Sequence, residues 1–211
     1  MTIASLKPKA GPTKHQQRTE ATRRALLQAA RRIFARDGFE ASRIEDIVAA
    51  TGRTRGAFYA HFRSKEDLFF ALLEQEANRR LAQLRGVLER LNSDSARVEA
   101  LREFYVRRAT DRQWVMLTLE FKLFALRHPH LRAKLARTHR RIRESLKLET
   151  IRGMIPSLLN GRPESQQLRR VALEAVLNGL ALEHAYDAET ISEAQVTSVL
   201  GQVFDVLMSA R

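Results

Sequence analysis

Residues Arg43 to Phe62 read RIEDIVAATGRTRGAFYAHF, and this stretch decides the fold. Ile44, Ile47 and Val48 fall at i, i+3 and i+4, the spacing of one apolar helical face. Ser42 precedes them with Glu45 three residues on, which predicts a capping box satisfying free amide donors at a helix start. Gly52 follows where a left-handed residue is wanted to stop that helix. Thr54 is placed to cap a second helix, with Phe58 and Phe62 four apart on its inner side. The outer side carries Arg55, Gly56, Ala57, Tyr59 and His61. Two short helices, a glycine-containing turn and a basic, aromatic outer face predict a helix-turn-helix, with an outer face suited to a DNA major groove.

Charge is distributed to match. The 211 residues carry a net charge of +13. Residues 1–64 hold 13 Lys+Arg against 5 Asp+Glu, and the remainder 24 against 19, so the excess gathers around the motif. That is the footprint of a polyanion-binding surface. Hydrophobic residues make up 44% of the chain, enough for a sizeable core. With no cysteine, disulfides, thiolate metal sites and thiol catalysis are excluded. No secretory signal and no run of about 18 apolar residues is visible, so a cytoplasmic protein with no membrane partner is expected.

Read in order, residues 1–17 predict a flexible basic arm, with Pro8, Gly11 and Pro12 among lysines. A bracing helix starts at Thr19 or Thr22 and ends before Gly38, burying Leu26, Ala30 and Ile33, with Leu27 and Phe34 beside them. Phe39 packs back on the core. Ser64 caps a fourth helix that continues through Leu68, Phe69, Leu72, Leu73, Leu81, Leu84, Leu88 and Leu91, with Gly86 its one soft spot. Further helices are expected over about Ser95–Ala109, Arg112–Arg127, Pro129 toward Met154, Glu164–Ala185 and Ser192–Met208. The Arg112–Arg127 helix is apolar nearly all round, which predicts a central, buried helix. In the next helix Leu131, Leu135, Ile142 and Leu146 point inward, and Pro156, Asn160, Gly161 and Pro163 make a loop. Period-two alternation, hairpin signals and long repeats are absent. The expectation is an all-α fold of about nine helices. Residues 18–64 would form a three-helix DNA-binding domain, joined through a long helix to a helical domain at 65–211 for ligand binding and dimerisation.

With these residues in hand, the region of about 18–73 resembles the TetR/AcrR family of bacterial transcriptional regulators. The resemblance runs through DGFEAS, RIEDIVAATG and TRGAFYAHFRSKEDLF. The combination of Gly56, Tyr59, His61, Phe62, Ser64 and Lys65 at these spacings carries it. It implies that Thr54, Arg55, Gly56 and Ala57 approach base edges and phosphates. It also implies that Tyr59, His61 and Lys65 touch phosphates, and that Arg43 and Thr54 sit where helix starts face the sugar-phosphate chain. Arg53 departs from the family, which usually has a small apolar residue in the turn. An arginine there should point outward and add a phosphate contact. One recognition helix offers few base contacts, so a homodimer on a two-fold double-stranded DNA operator is expected.

The resemblance also implies a dimer bundle from the last two helices. Interface candidates are Val171, Ala175, Val176, Gly179, Leu182, Val196, Val199, Val203, Phe204 and Leu207. A pocket for a small, largely apolar effector is expected between the fourth and eighth helices. Its candidate contacts are Phe104, Tyr105, Trp114, Leu117, Phe121, Phe124, His139, Asn178, Glu183 and His184. Release of a repressed operator by ligand is the expected mode, and neither cofactor nor metal is called for. The main competing class is an enzyme. G-x-S-x-G, a phosphate-binding P-loop, G-x-G-x-x-G and H-E-x-x-H are all missing, and the one close histidine pair, His128 and His130, reads as a surface turn. A sequence-indifferent nucleoid protein would share the basic surface but not the recognition-helix pattern. A basic amphipathic membrane binder is the third alternative, and the outer faces of a folded domain explain its basic helices better.

Overall fold

The structure is a computed structural model that describes residues 13–145, 153–155 and 163–209. Within them the chain forms α1 (Lys14–Asp37), α2 (Ile44–Ala49), α3 (Arg55–Tyr59), α4 (Lys65–Leu88), α5 (Asp94–Thr110), α6 (Arg112–Arg127), α7 (Pro129–Ser145), α8 (Pro163–Tyr186) and α9 (Glu193–Ser209). No strand occurs among the described residues, as an all-α reading requires. Residues 1–12 of the expected arm, the end of the seventh helix with Leu146, the Ile142 side chain, and Pro156, Asn160 and Gly161 lie outside the described residues.

The chain divides into two compact units, Met1–Leu72 and Leu73–Arg211. The division falls later than the expected 64/65 boundary because the first two turns of α4 belong to the first core. Phe69 of α4 lies 5.4 Å from Phe34 and 4.7 Å from Phe39, ring centre to ring centre. Leu68 and Leu72 are buried beside it. Against this cluster α1 contributes Leu26, Leu27, Ala30 and Ile33, while Ile47, Val48, Phe58 and Phe62 are buried from the motif.

Two local expectations are corrected. α1 begins at Lys14, not at Thr19 or Thr22, because Thr13 and Gln16 form a capping box inside the expected arm. The Thr13 hydroxyl accepts from the Gln16 amide at 3.3 Å, and the Gln16 side-chain oxygen accepts from the Thr13 amide at 2.8 Å. Ser42 does not cap α2. Its buried hydroxyl donates to the Phe39 carbonyl at 2.8 Å, closing the preceding turn, and Arg43 stands at the cap without a side-chain bond. Gly52 does adopt the left-handed conformation, with φ +61°. Thr54 does cap α3, accepting from the Ala57 amide at 3.2 Å.

In the second unit α5, α8 and α9 pack on one another, and α6 packs on α5, α7 and α8. Their core joins Leu101, Tyr105, Leu173, Leu177, Val196, Leu200 and Phe204 with Leu84 and Leu88 of α4. Val196 and Phe204 are therefore intrachain core and not interface positions. α6 is also not buried all round. Trp114, Val115, Leu117, Phe121 and Phe124 face inward, but Met116, Leu123 and Leu126 are exposed, because the neighbouring helices cover only one side.

The glycines of the two units should respond oppositely to alanine. Gly52 holds a conformation that costs an L-residue about 1–2 kcal/mol, whereas Gly86 is helical with open space at its missing Cβ. Gly52→Ala should lower the urea midpoint, and Gly86→Ala should raise it by the ~0.8–1 kcal/mol of helix propensity.

Candidate nucleic-acid interface and interior cavity

The turn and caps that end α2 and start α3 leave one side of α3 outward. Thr54, Arg55, Gly56 and Tyr59 are exposed there, and Ala57 and His61 are half-buried. Arg53 in the turn is exposed, as expected of it, and Arg43 before α2 is exposed as well. A Cβ on Gly56 would meet only the Thr54 hydroxyl, at an ordinary 3.7 Å. No neighbour within the fold therefore requires glycine at that place. Glycine there leaves the outer side open to close backbone approach.

Arg55 is held in place before any partner arrives. Its guanidinium pairs with Glu45 of α2 at 2.9 Å and lies 5.8 Å from the centre of the Tyr59 ring. Both carriers of the ion pair are more than half exposed, so its direct stabilisation is small, about 0–1 kcal/mol. It keeps the guanidinium, a bidentate donor, on the outer face of α3.

Lys65 is turned the other way. Its ammonium donates to the carbonyls of Phe39 at 2.7 Å, Ser42 at 2.9 Å and Glu40 at 3.1 Å, and sits 4.6 Å from the Phe39 ring centre. An ammonium has three donors, and all three are used. Burial lowers the Lys65 pKa from its ordinary value. These bonds form a clamp that ties the start of α4 to the turn before α2.

The second unit encloses a cavity of about 40 Å³, lined by Leu73, Ala77, Arg80, Phe104, Arg108, Trp114, Thr118, Phe121, His139 and Glu174. Four sequence candidates, Phe104, Trp114, Phe121 and His139, lie in its wall. The others do not. Tyr105 and Leu117 are buried in packing, and Phe124 stacks against His128 at 4.2 Å. Asn178 donates to the Glu174 carbonyl of its own helix at 2.6 Å, Glu183 is exposed, and His184 is bonded to the Ile191 carbonyl at 2.8 Å.

The charged wall residues were missed. Arg108 and Glu174 pair at 3.2 Å with side chains 8% and 12% exposed. Burial works to raise the Glu174 carboxyl, yet Arg108, with His139 and Arg170, holds it below its ordinary value. Arg80 bonds Asp111, lies near the Glu76 carboxylate at 3.7 Å and covers the Trp114 ring at 4.6 Å. The available signal was a charge at an apolar helical position. Leu73, Ala77, Arg80 and Leu84 share one stripe of α4, and Leu101, Tyr105 and Arg108 one stripe of α5.

Among the described residues no cluster of His, Asp and Glu is placed to hold a metal ion. No described helix is long and apolar enough to cross a membrane. A capped two-helix motif in a basic unit, followed by a helical unit with an interior cavity, defines a helix-turn-helix transcriptional regulator. Residues 26–72 match the family described as bacterial regulatory proteins, tetR family, and residues 94–208 match the BetI-type transcriptional repressor C-terminal family. The chain belongs to the TetR family, and it is a transcriptional repressor by that membership and not an enzyme. It is 27% identical over 179 residues to the HTH-type transcriptional repressor AcnR of Corynebacterium glutamicum, covering 85% of this chain and 90% of that protein. It is 31% identical over 133 residues to the HTH-type transcriptional regulator UidR of Escherichia coli, covering 61% and 64%. A TetR-family regulator structure from Rhodococcus sp. superposes with a TM-score of 0.70 at 23% identity, covering 90% of this chain and all of that one.

Gly56→Ala separates fold from interface. Its melting temperature should stay level or rise, because alanine favours helix, while operator affinity measured by fluorescence anisotropy should fall at least about tenfold, the ~1.4 kcal/mol of one lost close approach. Lys65→Met should do the reverse of a phosphate contact. It should lower stability by about 2 kcal/mol, the scale of hydrogen bonds to a charged group, and leave the slope of log affinity against log salt unchanged. A lost phosphate contact would instead reduce that slope by about one.

Proposed function

We propose that the chain acts as a homodimeric repressor that binds a palindromic operator through the outer face of α3 and is released by a small, largely apolar molecule. The observation that carries this reading is the outer face itself, where Arg55 is pre-oriented by Glu45 and Gly56 has no internal need to be glycine. In this reading Arg55 reads bases, and Thr54, Gly56 and Ala57 make the close approach. Arg43, Arg53, Tyr59 and His61 hold phosphates and position the helix without reading sequence. The site of action is the bacterial cytoplasm.

The dimer reading rests on apolar surface that one chain leaves open. On α8, Leu168, Val171, Leu182 and Tyr186 are exposed, with Ala175 and Gly179 between them, and Tyr186 reaches 86%. On α9, Val199 and Val206 are exposed and Val203 and Leu207 half-covered, while Val176 of α8 is half-covered. A second copy would cover these stripes and supply the second recognition helix that a two-fold site needs. An effector in the interior cavity can act only by favouring a form with lower operator affinity, so ligand and operator weaken each other by the same factor.

Selection of genomic fragments by the purified protein at physiological salt should recover an inverted repeat, and Arg55→Ala should relax its base preference by about 1–3 kcal/mol at one position. Retention without any enriched sequence would leave a nonspecific binder in its place. Leu182→Asp with Val206→Asp should sediment as a monomer and lose most operator affinity; a dimer that persists would move the interface elsewhere.

A further inference from the structure

The interior cavity contains a donor with nothing to donate to. Trp114 is 8% exposed, lines the cavity, and its buried Nε1–H has no hydrogen-bond partner among the described residues. The Arg80 Nε–H, in the same wall, already faces the Glu76 carboxylate at 3.7 Å. An unmet buried donor costs about 1–3 kcal/mol, and folded proteins seldom retain one without a use. An unmet indole donor in a cavity wall points to an acceptor that belongs there.

Charge narrows the kind of acceptor. The guanidiniums of Arg79, Arg80 and Arg108 are already answered by Glu76, Asp111 and Glu174. The remaining titratable group facing the cavity is His139, whose ring lies 5.3 Å from Phe121. A charged ligand would enter without a counter-ion waiting for it, and burying such a charge is costly. A neutral carbonyl-type oxygen meets the donor without adding charge. The rest of the wall, Leu73, Ala77, Phe104 and Phe121, suits an apolar or aryl body.

Size shows how it would enter. At about 40 Å³ the cavity is far below the several hundred cubic ångströms of a typical ligand pocket. An adjoining cleft of about 400 Å³ shares Arg80, Phe104 and Arg108 with it as a common wall. Swinging that partition aside would join the two spaces, at the expense of the Arg80–Asp111 contact.

We propose that the effector of this cavity is a small neutral molecule with an apolar body and one carbonyl-type acceptor, hydrogen-bonded to Trp114 Nε1–H and admitted by displacement of Arg80. This rests on the reading of the second unit as effector-binding.

Trp114 is the only tryptophan in the sequence, so one indole N–H signal in a ¹⁵N-labelled sample of the full chain reports on the site. Four probes of similar shape separate the cases: acetophenone, ethylbenzene, benzoate and 1-phenylethylammonium. Acetophenone should move the indole signal downfield to saturation and bind about tenfold more tightly than ethylbenzene, the increment of one hydrogen bond. Both ions should bind more weakly than acetophenone. Trp114→Phe should erase the preference for acetophenone over ethylbenzene, read from melting-temperature shifts. Thr118→Val should keep it, because the Thr118 hydroxyl already donates to the Trp114 carbonyl at 2.9 Å. Tighter binding of benzoate or of the ammonium, equal binding of acetophenone and ethylbenzene, or a preference removed by Thr118→Val instead of Trp114→Phe would each overturn the acceptor assignment and leave the cavity a ligand site. Binding of none of the four would overturn both the assignment and the effector reading of the cavity.

Discussion

The reading head depends on two helices too short to exist alone. α2 has six residues and α3 five, well under the roughly 12–15 that an isolated helix needs in water. Their order is imposed from outside. Ile47, Val48, Phe58 and Phe62 bury against α1 and the start of α4, and the Phe34, Phe39 and Phe69 rings fix the angle at which those longer helices meet. Gly52 reverses the chain between the short helices, and Thr54 answers an amide that the start of α3 would otherwise leave free. Everything on the outer face of α3 inherits its position from these contacts.

Lys65 belongs to the same constraint. Its three carbonyl partners lie in the turn between α1 and α2, and Ser42 closes that turn from within. A lysine at a helix start beside a DNA-facing motif suggests a phosphate contact, and the resemblance to a family implies one. The geometry gives the charge a different use: it satisfies backbone oxygens in a half-buried turn that would otherwise need water. A charge near an interface can therefore support the fold of that interface from within.

Legibility in the sequence followed the kind of physics involved. The helices of the motif, the Gly52 turn, the Thr54 cap and the bounds Arg112–Arg127 of α6 were all readable, because local periodicity and capping chemistry determine them. The start of α1 was misplaced because a Thr13–Gln16 capping box looks like any polar pair in a basic arm. The depth of α6 was misjudged because apolar content states what a helix could bury, not how many neighbours it has; Met116, Leu123 and Leu126 stay exposed. Val196 and Phe204 were assigned outward for the same reason. The cavity was half legible. Large aromatics marked it, but Arg80, Arg108 and Glu174 come together from three helices, and spacing that sets a charge on an apolar stripe does not say which charge it meets.

The two networks share one rod. Lys65 and Arg80 are both side chains of α4, fifteen positions apart in the sequence. One end clamps the turn before α2, and the other closes the partition of the cavity. α4 runs without interruption between them. Packed helices shift as units more readily than they bend. In the proposed function, a ligand that displaces Arg80 from Asp111 would act on the same element whose start clamps the turn before α2. The energy available for that coupling is limited to the difference in ligand affinity between the two positions of α4. An acceptor that satisfies Trp114 only after Arg80 has moved would place its hydrogen bond in one of those positions and not the other, which is what a useful effector requires.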